Sequence, residues 1–217
     1  MRLGLFCGST GSGGANRAAL ALVAQLLERH GADAIEAGDV ADIPIFRPEL
    51  VDAAPASVIA LRAVFASVDG VVFAVPEYGG GAAGGAKNAL DWMVGSASLY
   101  GRPVAALSAG TTGGSHAIAQ IARTLTWQGA LVVATLGIAS PATKRDAEGR
   151  FVDATTVAQA DALVGALRGA IAADEGDRRE LAAKTVHALG IDPFRRGSTS
   201  GRSDVPDGIG FDTDGIR

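Results

Sequence analysis

The chain has 217 residues and a formal net charge of −4, from 19 Lys+Arg against 23 Asp+Glu with no basic block, which argues against a nucleic-acid partner held by charge. Thirty residues are Gly and 43 are Ala; Gly runs at about twice its usual share of roughly 7%, yet it follows no three-residue period, so the chain is not collagen-like. With 48% hydrophobic residues it is not disordered as a whole, and one cysteine (Cys7) with three scattered histidines (His30, His116, His187) offers neither an intrachain disulfide nor a metal-ligand spacing.

Short apolar runs alternate with longer stretches of helical period, the pattern of a parallel sheet covered by helices. Leu3 to Cys7 is the first strand. Leu20, Val23 and Leu27 recur on one face of a helix running from about Ala15 to His30, which Gly31 ends. Ala32 to Ala37 is a weak second strand, and Pro44, Pro48 and Pro55 punctuate the loop before a helix over Ser57 to Ser67. Val71 to Val75 is a strong third strand stopped by Pro76. Then come a helix over Gly84 to Ser98, a fourth strand at Val104 to Leu107, a helix over Gly114 to Gly129, a fifth strand at Leu131 to Leu136, and a helix over Asp153 to Ala173.

Beyond Ala173 the texture changes. Asp174 to Glu180 reads as a solvated charge run, Leu181, Val186 and Leu189 suit one short helix, and Ile191 to Arg217 reads as a flexible tail. The organisation expected is a domain over 1–173 and a C-terminal extension over 174–217. Leu3 to Cys7 is too short for a signal-peptide core and no apolar run approaches a membrane span, so a soluble, cytoplasmic protein is expected, with neither a membrane nor a nucleic-acid partner.

Three loops hold twelve of the thirty glycines: Gly8 to Gly14, Gly79 to Gly85 and Gly110 to Gly114. Each follows the carboxyl end of a predicted strand, the edge at which open α/β sheets bind ligands; with strand order 2-1-3-4-5 the first and third strands flank the switch point. Gly also makes ordinary strand-to-helix turns, which explains any one loop by itself. The first loop, Gly8-Ser9-Thr10-Gly11-Ser12-Gly13-Gly14-Ala15-Asn16, offers backbone N–H groups, three hydroxyls and a helix N-terminus, a set that suits a phosphate. It is not a nucleotide P-loop, because Gly14-Ala15 follow Gly13 in place of Lys and Ser/Thr. It is not a dinucleotide fingerprint either, since Asn16 occupies the place of the third Gly. A hydroxyl-rich cradle for a monophosphate remains.

The second loop narrows the choice. Pro76-Glu77-Tyr78-Gly79, then Gly84 and Lys87-Asn88-Ala89-Leu90-Asp91-Trp92, resembles the signature of NADPH-dependent FMN reductases. Gly8, Ser9 and Asn16 match that family's phosphate loop, and Ser108-Ala109-Gly110 with Gly113-Gly114 is similar to its flavin-closing loop. The resemblance covers Arg2 to about Ala173 and departs at Gly11, Gly14, Gly79 and Ala83, where the family has Arg, Ser, Asn and Pro. Arg17 is the candidate substitute for the missing cation. The resemblance implies a flavodoxin-like three-layer α/β sandwich with a five-stranded parallel sheet, an FMN cofactor, and NADPH or NADH as hydride donor to free flavin, a quinone or another small acceptor. It further implies cofactor contacts from Ser9, Thr10, Gly11, Ser12, Gly13, Asn16, Pro76, Glu77, Tyr78, Gly79, Ser108 and Gly110, no catalytic side chain, and a homodimer or homotetramer.

Several of these residues have a plainer reading beside this one. Trp92 suits the core, Lys87 and Asn88 suit solvated or capping roles, Asp91 is either an exposed helical carboxylate or a partner contact, and Cys7 at the end of a buried strand suits packing better than reactivity. Beside a degenerate family member that has lost flavin, suggested by Gly11, Gly14 and Gly79, two rival functions are weighed. Ala106-Leu107-Ser108-Ala109-Gly110 imitates the nucleophile elbow of a serine α/β-hydrolase, with Asp161 or Asp174 and His187 in the matching chain order. A non-enzymatic flavodoxin-like electron carrier is the other. The reductase is the preferred reading.

Overall fold

The computed structural model describes residues 1–192. The apolar run after Met1 forms β1 (Arg2–Cys7), and α1 (Ala15–Arg29) carries the chain back to β2 (Asp33–Glu36). A loop with two short 3-10 turns leads to α2 (Ala56–Ser67), β3 (Gly70–Ala74) and a small hairpin, β4 (Glu77–Tyr78) and β5 (Gly81–Ala82). There follow α3 (Gly84–Asp91), β6 (Pro103–Gly110), α4 (Ser115–Trp127), β7 (Leu131–Ala139), α5 (Ala154–Ala172) and α6 (Glu175–Ala188). The main sheet is parallel throughout, in the order β2-β1-β3-β6-β7. Setting the hairpin aside, this is the expected order 2-1-3-4-5, and the chain is a flavodoxin-like three-layer sandwich.

Alternation along each strand divides the core in two. Leu3, Leu5 and Cys7 of β1 join Val72, Leu107 and the inner faces of α1 and α5, including Leu20, Val23, Leu27, Leu163 and Leu167. On the opposite face Phe6 meets Phe65 and Phe73 in a cluster of tilted rings with centroids 5.5–6.1 Å apart, and Leu61, Leu90, Trp92, Ile121 and Leu125 from α2, α3 and α4 complete that layer. β3 is buried along its whole length, as a central parallel strand with helices on both faces must be.

Four elements differ from the expectation. The second glycine loop contains the β4–β5 hairpin, whose two-residue turn puts Gly79 and Gly80 at φ of 58° and 73°, a conformation that L side chains resist. α3 stops at Asp91, seven residues before the predicted end at Ser98. The Trp92 carbonyl accepts from the Arg62 guanidinium at 3.0 and 2.6 Å, so it is taken by a side chain where a continuing helix would need it, and Gly95 and Ala97 beyond it have positive φ. β6 and β7 run past their apolar cores because Ser108 to Gly110 stay in register with Gly137 to Ala139.

The charge run after Ala173 is largely exposed, as expected, and helical: it forms the first half of α6. Asp174 caps it, accepting the Asp177 N–H at 2.9 Å, and Glu175–Arg179 and Glu180–Lys184 pair at i,i+4 distances of 2.7 and 2.5 Å. α6 packs along β7, where the Thr185 hydroxyl donates to the Val133 carbonyl at 3.2 Å; Ala182 joins one core layer, and Val186 and Ile191 join the other. All but the first two residues of the predicted tail lie outside the described residues. Among the described residues no helix is long and apolar enough to cross a membrane.

If α6 is part of the packed body, Val186→Ala removes buried methyl groups and lowers the stability of the whole domain by about 1–3 kcal/mol, measured by urea unfolding. Glu180→Ala on the exposed face of the same helix is neutral within about 0.5 kcal/mol.

Candidate functional site

The three glycine loops emerge side by side because the strands that feed them end side by side. Gly8 N–H donates to the Ala74 carbonyl at 2.8 Å and Val75 N–H to the Leu107 carbonyl at 2.9 Å, so β1, β3 and β6 release their chains along one line. The first loop then turns into α1. Ser9 is 92% buried and its hydroxyl oxygen accepts the Gly11 N–H at 3.3 Å, while Thr10 to Gly13 lie exposed. Among the described residues no acceptor meets the N–H groups of Thr10, Ser12 and Gly13, and those of Ala15, Asn16 and Arg17 are the donors that the first turn of any helix leaves over. These N–H groups, with the positive end of the α1 dipole behind them, form an anion cradle.

Arg17 supplies the cradle's charge from below. Its guanidinium donates to the carbonyls of Gly11 and Ser9, both at 3.4 Å, and reaches Asp39 at 3.4 Å. It ties down the carbonyl side of the loop and leaves the N–H side free. A hollow of about 270 Å³ beside the loop is lined by Ser12, Gly14, Arg17, Arg150 and Phe151. Arg150 in it is held by Asp146 at 2.8 Å and Glu148 at 3.2 Å.

Asn16, one of the predicted cofactor contacts, has a different use. Its Nδ2 donates to the Ala109 carbonyl at 3.1 Å and its Oδ1 accepts the Ala109 N–H at 2.9 Å, with the side chain buried. The amide thereby fixes the start of α1 to the end of β6. It positions the first loop against the third, with both of its polar atoms engaged.

The hairpin is held in the same manner. Glu77 accepts the Ala117 N–H in the first turn of α4 at 3.0 Å, where a carboxylate also meets the helix dipole favourably, and Gln120 one turn further on accepts the Ala82 N–H at 2.8 Å. Both strands of the hairpin are therefore fastened to α4, and Gly79 and Gly80 at its tip have open space where side chains would be. Pro76 is buried and Tyr78 is 67% exposed at the tip. Gln120 has no signal in the sequence: it is a helical Gln outside any motif, and only the pairing geometry reveals it.

The residues that carry the family-like signature after the hairpin belong to the scaffold. Asn88 accepts the Phe46 N–H at 2.8 Å and donates to the Pro44 carbonyl at 2.9 Å, which also takes the Trp92 indole N–H at 2.8 Å. Lys87 and Asp91 pair with each other at 2.5 Å, and Trp92 is fully buried. Asn88 and Trp92 pin the loop before α2 onto α3.

Ser108 is fully buried and its hydroxyl has no hydrogen-bond partner. Gly114, at φ 69°, lies directly over it; a Cβ at 114 would overlap both Oγ and Cβ of Ser108. This geometry overturns the serine-hydrolase reading. A nucleophile needs a base within hydrogen-bond reach, whereas Asp161 pairs with His30 at 2.9 Å, Asp174 caps α6, and His187 lines a cleft at the other edge of the sheet. Cys7 is no nucleophile either: burial pushes its thiol up, away from the thiolate, and it is 2% exposed.

The site fits a flavin mononucleotide. The cradle and Arg17 suit a phosphate, the glycine hairpin leaves room for a flat ring, and the unpaired Ser108 hydroxyl lies at the third loop that would close the site. The sequence model of a family described as NADPH-dependent FMN reductase matches residues 1–144. An NAD(P)H-dependent FMN reductase of Nectria sp. is 48% identical over 63 residues, 29% of this chain and 30% of the relative. A quinone reductase of Escherichia coli K12 is 34% identical over 100 residues, 43% of this chain and 53% of the relative. The matches thus span about a third and about half of those two proteins. Among solved structures, a flavoenzyme NAD(P)H:(acceptor) oxidoreductase from Paracoccus denitrificans superposes with a TM-score of 0.64 at 24% identity, covering 77% of this chain and 97% of that one, a likeness of fold.

Replacing Asn16 by Ala leaves the Ala109 N–H and carbonyl buried without partners, at roughly 1–3 kcal/mol each. The expected result is a clear drop in the urea midpoint and loss of ligand affinity together. Gly114→Ala combines a disfavoured backbone conformation with overlap on Ser108 and should cost at least about 3 kcal/mol, with Gly114→Ala/Ser108→Gly recovering part of it.

Proposed function

The chain belongs to the NADPH-dependent FMN reductase family, and on that premise we propose that it is an FMN-dependent oxidoreductase using NADPH or NADH to reduce a small acceptor, free flavin or a quinone. The observation that carries this reading is the convergence of three clamped glycine loops beside the switch point between β1 and β3, with free N–H groups at one end and a side-chain-free turn at the other. Bound FMN would supply the two-electron chemistry, taking a hydride from the nicotinamide and handing the electron pair on to the acceptor.

The chain's own residues then bind and orient. The N–H groups of the first loop and the hydroxyls of Ser9, Thr10 and Ser12 hold the phosphate, and Arg17 offsets its charge from the carbonyl side of the loop. The backbone from Pro76 to Gly79 lies along the ring edge, held there by Glu77 and Gln120 through α4. Gly110 and its neighbours close from the third strand end, where the buried Ser108 hydroxyl is available as a hydrogen-bond partner. Gly79 and Gly80 leave one ring face open for a flat nicotinamide or acceptor to stack. None of these residues is asked to transfer a proton. We place the enzyme in the cytoplasm, where its nicotinamide donor is available, and as a homodimer or homotetramer, in which the exposed Tyr78 has a second subunit to meet.

The visible spectrum of the purified protein, supplied with FMN, is expected to show a protein-bound flavin band that bleaches on addition of NADPH or NADH and returns when a quinone is added. A protein that leaves the FMN spectrum and fluorescence unchanged refutes the assignment. A carrier without reductase activity would bind FMN and leave NADPH unoxidised. Arg17→Gln is expected to weaken FMN binding about ten- to a hundredfold, the size of a lost hydrogen bond or ion pair to a charged group, and to leave riboflavin binding unchanged; fluorescence titration with both ligands measures it.

A further inference from the structure

A second concave surface lies away from the glycine loops. A cleft of about 1280 Å³ opens between α6, the C-terminal end of α4 and the segment joining α3 to β6, at the amino-terminal edge of the sheet. Its floor is apolar, with Leu99, Val132, Ala182 and Val186 buried there, and on its rim Val94 is 51%, Tyr100 69% and Trp127 72% exposed. The Tyr100 ring is fixed in that rim: it lies so close over Gly129 that a Cβ at 129 would come within 2.5 Å of it, and the Gly101 N–H donates to the Gly129 carbonyl at 2.8 Å. None of the glycine-loop residues lines the cleft.

Size, charge and shape select its occupant. Pockets for small ligands run to about 1,000 Å³, and this cleft is larger. Grouped exposed aromatic side chains mark a contact surface, and Trp, Tyr and Arg, all present here, dominate protein contacts. Of the charged side chains that line it, Arg179 and Lys184 are balanced by Glu180 and Asp192, so neither a strongly basic nor a strongly acidic partner is favoured. A balanced rim is what a surface needs to meet itself, because a two-fold contact sets each patch against its own copy and a rim of one sign would repel. Shape agrees. Trp127 and Tyr100 project beside a recess with an apolar floor, so across a two-fold axis the rings of each copy enter the recess of the other. Covering two rings exposed to this degree withdraws roughly 200–350 Å² from water on each copy, a quarter or more of the ~800 Å² that a standard interface takes from each partner. Val94 and the outward residues Ala183, Lys184 and His187 of α6 supply more.

We propose that this cleft is a self-contact, through which two copies of the chain pair with Trp127 and Tyr100 of each seated between α6 and the end of α4 of the other. It lies at the opposite edge of the sheet from the hairpin, so by itself it gives a dimer and together with a contact at Tyr78 a tetramer. It extends the assembly proposed above by naming its face and rests on no part of the assigned activity.

The test uses the full chain. Trp127→Glu and Val94→Glu each place a carboxylate on an exposed part of the rim. Light scattering is expected to give both variants half the mass of the unaltered chain with unchanged far-UV circular dichroism, and equal masses overturn the proposal. Fluorescence then locates the contact. The chain has two tryptophans and Trp92 is fully buried, so the emission that acrylamide can quench comes from Trp127. Quenching is expected to be severalfold faster in Val94→Glu than in the unaltered chain. Equal quenching overturns the proposal, whether fast, which leaves the cleft open, or slow, which covers it from within one chain. Dilution of the unaltered chain gives the same reading without a substitution: a mass that halves with no faster quenching assigns the pairing to another face.

Discussion

One buried side-chain amide holds the functional edge of this molecule together. Asn16 stands at the start of α1 and uses both of its polar atoms on the backbone of Ala109, 93 residues away in sequence and two strands over in the sheet. A parallel sheet places the carboxyl ends of its strands on one side, but that alone leaves the loops free to splay. Asn16 ties the first loop to the third; Glu77 and Gln120 tie the hairpin of the second to α4, which itself springs from the third. Every contact proposed for the flavin depends on that relative placement. Because the Asn16 clamp ends on the buried backbone of Ala109, breaking it leaves an unpaired donor and acceptor in the interior, which is costlier than the bonds it removes.

The fold was legible because its signal is local. Every strand of the main sheet except the short β2 is an apolar run bounded by Gly, Pro or charge, and α1 repeats its apolar residues at helical spacing. The errors fall where a distant side chain decides. α3 ends early because Arg62, on another helix, takes the Trp92 carbonyl. The β4–β5 hairpin is invisible in Gly79-Gly80-Gly81 because its strands are two residues each and are fastened by Glu77 and Gln120 from outside. The charges of α6 read as a solvated run, and the pairing of Glu175 with Arg179 and Glu180 with Lys184 emerges only once the helix is drawn.

The glycine loops of the candidate site were legible in the sequence, and the contacts that hold them in place were not. Lys87, Asn88, Asp91 and Trp92 carry much of the resemblance to the reductase family, yet all four spend their contacts on α3 and the Pro44 loop. Asn16 belongs with them as a residue that places the site without facing it. Of the positions at which this chain departs from the family, Gly79 faces open space at the hairpin tip, while Gly11 and Gly14 lie against the Ser9 hydroxyl. Lys87, Asn88, Asp91 and Trp92 are thus scaffold, and Gly79 stands at the open tip of the hairpin.

The sheet also has two outer strands, and both are closed to strand pairing by different means. β7 is flanked by α6, whose Thr185 hydroxyl occupies the Val133 carbonyl. β2 is only four residues long and begins and ends on exposed carboxylates, Asp33 and Glu36, which repel an approaching strand of like charge. A chain this rich in Ala and Gly, with a continuous apolar sheet inside it, is thereby kept from polymerising edge to edge. Growth of the sheet by a further strand is disfavoured at both of its described edges.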